Sequence, residues 1–133
     1  MQSIKDRVLV MALVTLSFGV NAAGDSYSAT FATCMDASEG VTVSMLNCIG
    51  SEIERQDARL NLSYKAAMQT LEIGPRTQLR DAQRLWIKLR DADCRLLGSL
   101  TGGTSDSINR ASCFLDMTKE RAEYLTWLVE HGQ

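Results

Sequence analysis

The sequence predicts an all-α fold, a three-helix antiparallel bundle stapled by two disulfides. Three observations predict it. Three long segments carry apolar residues in steps of three and four, and none alternates with the period of a strand. Glycine-, proline- or serine-rich breaks separate those segments. Four cysteines, an even number, lie in a 133-residue chain whose N-terminus reads as a secretory signal.

That N-terminus comes first in the chain. Lys5 and Arg7 form a basic start, and residues 8–20 (VLVMALVTLSFGV) form an apolar run too short to span a bilayer. Small or aliphatic residues at Val20 and Ala22 suit a signal peptidase, so residues 1–22 are expected to be cleaved and residues 23–133 to form the domain. No cysteine follows the run before Cys34, so no lipoprotein anchor is expected. The expected location is the periplasm, with no membrane segment after cleavage. The mature chain then has 12 basic and 15 acidic residues, net −3. This argues against nucleic acid, which demands a clustered basic face, and permits a cationic protein partner.

Residues 23–40 are polar and aperiodic and read as a loop tied down by Cys34. Thr42 or Ser44 can cap the first long helix, with the seam Leu46, Ile49, Ile53, Asp57, Leu60, Tyr64, Ala67 and Leu71. Gly74-Pro75 is expected to end it. The second helix, Thr77–Gly98, has a seam of Leu79, Ala82, Trp86, Leu89, Asp93 and Leu97. A polar shoulder of Gln83, Trp86, Arg90 and Cys94 runs beside it. After the loop Ser99–Ile108, Ser105 or Asp106 can cap the third helix. Its seam is Ile108, Ala111, Leu115, Thr118, Ala122, Leu125 and Val129.

At about 1.5 Å per residue, Asp57 lies about 21 Å before the Gly74-Pro75 turn and Arg90 about 20 Å after it. A carboxylate in an apolar seam needs a partner, so Asp57 and Arg90 are expected to pair. The same counting sets Thr118 and Arg121 level with Gln83 and Trp86, and these with Asn61 and Tyr64, a second polar layer that fixes register. It also places Cys34, Cys48, Cys94 and Cys113 at one end. Of three pairings, Cys34–Cys48 with Cys94–Cys113 closes the shortest loops, at about 3 kcal/mol each, and the crossed pairings stay open. The wide cysteine spacing and a single histidine, His131, argue against zinc; no metal or cofactor is expected.

Cys48, Glu52, Asp57, Leu60-Asn61 and Tyr64, followed by Gln83, Trp86, Arg90-Asp91 and Cys94, form a recognisable series. Gly102-Gly103-Thr104, Cys113, Thr118 and Arg121 complete it. The series resembles the LprI-like family of lysozyme-inhibitor domains, small secreted helical bundles, from about Cys34 to Leu125. The founding member is a lipoprotein, unlike this chain, and Thr104 stands where serine is common. The resemblance implies a protein-binding inhibitor with a lysozyme as partner. It marks residues that keep the fold rather than an inhibitory surface.

A muramidase cleft carries two carboxylates, and a plug for it needs a rigid loop rich in hydrogen-bonding groups. Ser99, Thr101, Gly102, Gly103, Thr104, Ser105 and Ser107 are the candidate contact residues. A flexible connector is the plainer reading of such a stretch. An enzyme is not expected: His131 lies near the C-terminus without a nucleophile, and Asp91 and Asp93 point apart on a helix. The other expectation is a non-enzymatic envelope interaction or immunity module with a different protein partner. Tyr124, Trp127 and Leu128 would supply its patch if exposed, although large aromatics more often close a core. Oligomeric state is not legible.

Overall fold

The computed structural model describes residues 27–132. The expected signal segment, residues 1–22, lies outside them. Among the described residues there are four helices and no strand: α1 (Ala29–Ala37), α2 (Thr42–Thr70), α3 (Ile73–Leu97) and α4 (Ser105–His131).

The fourth helix is a correction, since α1 lies where a loop was expected. Its residues carry no apolar period, and none is fully buried. What forms it is capping and cross-linking. The Ser28 hydroxyl accepts from the Phe31 amide at 3.1 Å, and Cys34 is bonded to Cys48 of α2. The chain then reverses through Glu39 (φ 48°) and Gly40 (φ 77°), the second a conformation that favours glycine.

The first break is also displaced. The α2–α3 turn is Leu71-Glu72, and Gly74 and Pro75 fall inside the first turn of α3. Amides there have no helical acceptor, so a proline among them costs nothing. The Arg76 guanidinium donates to the Leu71 carbonyl at 2.8 Å and ties the turn together.

The long helices run up, down and up. α2 lies along α4, α3 packs on α4, and α2 and α3 barely meet. Small side chains let α2 and α4 approach closely. Ala67, Thr118 and Ala122 have no exposed surface, and the Ser63 and Thr126 hydroxyls are bonded at 2.9 Å. The core is Leu60, Ala67, Leu71, Leu79, Ala122 and Leu125, with Tyr64, Trp86 and Leu128 against it. The disulfides close the other end, where Cys94–Cys113 joins the C-terminal end of α3 to the N-terminal part of α4.

This arrangement shifts two seams. In the first half of α2 the buried line is Ile49, Glu52 and Gln56, so Asp57 is turned to solvent. In α3 the polar shoulder is the packed face. Leu79, Gln83 and Cys94 are buried while Leu89 is 54% exposed. The α4 seam runs as the periodicity predicts.

Candidate functional site

The loop between α3 and α4 is built around one carboxylate. Asp106, in the first turn of α4, turns back and accepts from the Thr101 amide (3.1 Å), the Thr101 hydroxyl (2.8 Å) and the Gly102 amide (2.8 Å). It caps the loop rather than the helix, whose N-cap Thr104 makes no side-chain capping bond. The Thr101 hydroxyl bond, with the two amide bonds, holds the Asp106 carboxyl below its ordinary value against the opposing effect of burial.

Most other loop hydroxyls are also engaged. Ser99 donates to the Leu96 carbonyl, Ser107 to the Thr104 carbonyl, and Ser105 meets Thr101 at 3.2 Å. Thr101 Oγ1 accepts from the Gly103 amide at 3.2 Å. Gly102 has φ 72°, which permits the turn. Residues 99–105 are all exposed. The result is a protruding loop whose shape is fixed from below, rooted between Cys94 and Cys113.

The expected polar layers divide. Asp57 does not pair with Arg90. It is exposed and accepts from Asn61 at 3.0 Å, so Asn61 stays outside the bundle too. The cause is the α2–α3 separation, which levelling along the chain cannot reveal. Arg90 instead lies over the rings of Phe114 (3.7 Å) and Trp86 (4.7 Å), with Thr118 at 3.4 Å and Asp91 at 3.3 Å. The second layer is present on α3 and α4: Arg121 donates to Gln83 at 2.8 Å and sits 5.8 Å from the Trp86 ring. Tyr64 is half-buried against the core.

Glu52 is the buried charge that the seams did not single out. It has no exposed surface and accepts from the Ser28 amide (3.0 Å), the Ser28 hydroxyl (2.6 Å), Gln56 (2.9 Å) and Arg55 (3.1 Å). Burial alone would raise its carboxyl; these bonds outweigh burial and hold it below the ordinary value. It ties the start of α1 to α2.

The C-terminal aromatics do not close the core. Tyr124 is 47% and Trp127 52% exposed, and Trp127 stacks between Tyr124 and His131. Packing of α2 on α4 already fills that end, which leaves this side of α4 to solvent. Among the described residues, His131 bonds only the Trp127 carbonyl, at 2.9 Å.

A family profile described as Lysozyme inhibitor LprI matches residues 34–125. The chain belongs to the LprI family. The matched span starts at Cys34, contains both disulfides and the loop, and ends at Leu125. An uncharacterized protein of Rhizobium meliloti (strain 1021) is 30% identical over 113 residues, 74% of this chain and 81% of that protein. No solved structure gives a significant match. The LprI family is one of inhibitor domains. Among the described residues no helix is long and apolar enough to cross a membrane.

Proposed function

We propose that this chain is a periplasmic inhibitor of lysozyme-type muramidases, exported by residues 1–22 and acting as the domain 23–133. The loop Ser99–Ser107 enters the cleft of the target. One observation carries this reading: an exposed loop held in a single shape by Asp106 and rooted beside the Cys94–Cys113 disulfide. A preorganised loop loses little entropy on docking, which separates a plug from a connector. Its tip, Gly102 to Ser105, is exposed, as a surface that enters a cleft lined with carboxylates and sugar-binding groups must be. Family membership supports the target class. Two disulfides in a chain of this size suit an oxidising compartment.

Titrating the oxidised protein into c-type, g-type and i-type lysozymes turning over cell walls tests the proposal, with a reduced and alkylated control. Dose-dependent inhibition lost on reduction is the expected result. Full turnover by all three at saturating protein would refute it.

The exposed Tyr124, Trp127 and His131 stack favours a second reading, an envelope interaction or immunity module that docks through α4. Trp127→Ala would then abolish capture of the partner while loop variants would not.

A further inference from the structure

Beside the loop, Ile53 of α2, Gly98, and Asp106, Ser107, Arg110, Ala111 and Phe114 surround an open groove of about 440 Å³. Ile53, Ala111 and Phe114 make it apolar. Arg110 is its exposed cation and has no ion pair or hydrogen bond among the described residues. The acid one helical turn away, Asp106, already holds Thr101 and Gly102.

Arg110 is nevertheless fixed at its base. A Cβ on Gly98 would stand 2.8 Å from Arg110 Cβ, 3.1 Å from its Cδ and 3.3 Å from its Cγ, so the aliphatic stem lies flush on the Gly98 backbone. Only glycine leaves room for it there. An exposed cation with a packed stem and no anion is organised for a ligand that the protein does not itself supply. Arginine in such a setting, next to an aromatic wall, has the composition of an interface anchor.

We propose that this groove is the anchor pocket of the partner surface. It takes a carboxylate-bearing side chain of the protein partner, with the carboxylate on Arg110 and the apolar part against Ile53, Ala111 and Phe114. The identity of the partner rests on the inhibitor reading; the chemistry of the groove does not. The pocket and the loop lie on the same end of the bundle, so one partner can engage both.

Two measurements on the full oxidised domain test it. The first follows the Arg110 Nε–H and Phe114 ring resonances while phenylacetate is added, with benzylamine as control. Saturable shifts with phenylacetate alone, absent in Arg110→Ala, are expected. No saturable shift, or the same shift with benzylamine, overturns the proposal. The second compares lysozyme inhibition by the parent, Arg110→Ala and Arg110→Lys, whose melting temperatures should agree within about 2 °C. Arg110→Ala should weaken inhibition at least about tenfold, with Arg110→Lys between the two. Inhibition unchanged in Arg110→Ala overturns the pocket and leaves the inhibitor reading standing. If the parent inhibits nothing, the inhibitor reading falls and the phenylacetate titration alone decides the groove.

Discussion

A carboxylate without solvent exposure must be met by donors, and Glu52 is met by Ser28, Gln56 and Arg55. Replacing it by alanine leaves the Ser28 amide and hydroxyl and the Gln56 amide without their acceptor. We expect Glu52→Ala to destabilise the domain by about 3 kcal/mol, read by thermal or denaturant unfolding. The sign of its pH dependence follows from its lowered carboxyl. The stabilisation is complete above the ordinary value of 4.5 and is lost as pH falls through the folded value. The melting temperature of the parent should therefore drop more steeply below pH 4.5 than that of Glu52→Gln. Parallel acid profiles would show that Glu52 is not linked to folding. Arg90 and Asp57 give a second contrast. Arg90→Ala removes stacking on Phe114 and Trp86 and should cost about 1–2 kcal/mol. Asp57→Ala, at an exposed site, should change stability by less than about 0.5 kcal/mol. Equal losses at both positions would restore the paired-charge expectation.

Among the elements, the α3–α4 loop is clasped at its centre by one carboxylate, Asp106. Asp106→Asn keeps the shape of the side chain but replaces one acceptor oxygen with a donor facing backbone amides. Amide exchange at Thr101 and Gly102 should accelerate, while exchange in the buried part of α4 around Leu115 and Ala122 should not change. Unchanged exchange at Thr101 and Gly102 would mean that the loop is ordered by something else. The sequence shows this loop as glycine and serine with a choice of two caps. It cannot show that Asp106 faces backward, because capping a helix and clasping a loop demand the same residue types. The long helices were legible because their periodicity is a direct consequence of having one buried side. The α4 seam touches both other long helices, and its buried line follows the apolar period. The α2 and α3 seams lie one position away from the expected lines where Glu52, Gln56 and Gln83 are buried in place of Ile53, Asp57 and Ala82. Polar residues satisfied by one another carry no hydrophobic signal. α1 was missed for a related reason: caps and a disulfide form it, and no apolar face announces it.

For the whole molecule, the two disulfides have separate tasks. Cys34–Cys48 holds α1 on α2, and Cys94–Cys113 holds the root of the loop. Separations of 14 and 19 residues give each about 3 kcal/mol on the chain-entropy account. Replacing Cys34 and Cys48 by serine should lower the melting temperature yet leave inhibition intact in the folded protein. Replacing Cys94 and Cys113 should reduce both. Equal effects on inhibition from the two pairs would deny the loop its special role. On the proposed reading the rigid tip joins fold to function, and Gly103 offers the cleanest access to it. A Cβ there stands 3.5 Å from Thr101 Oγ1 and 4.0 Å from Ser105 Oγ, ordinary contacts, and residue 103 is exposed, so a substitution is expected to leave the fold in place. The decisive measurement is the inhibition constant of Gly103→Glu beside that of the parent, against whichever lysozyme the parent inhibits. A carboxylate at the tip would enter a cleft that already carries two. The account predicts inhibition weakened at least about tenfold at unchanged melting temperature. Equal inhibition by the two proteins would contradict it and move the contact surface away from the loop.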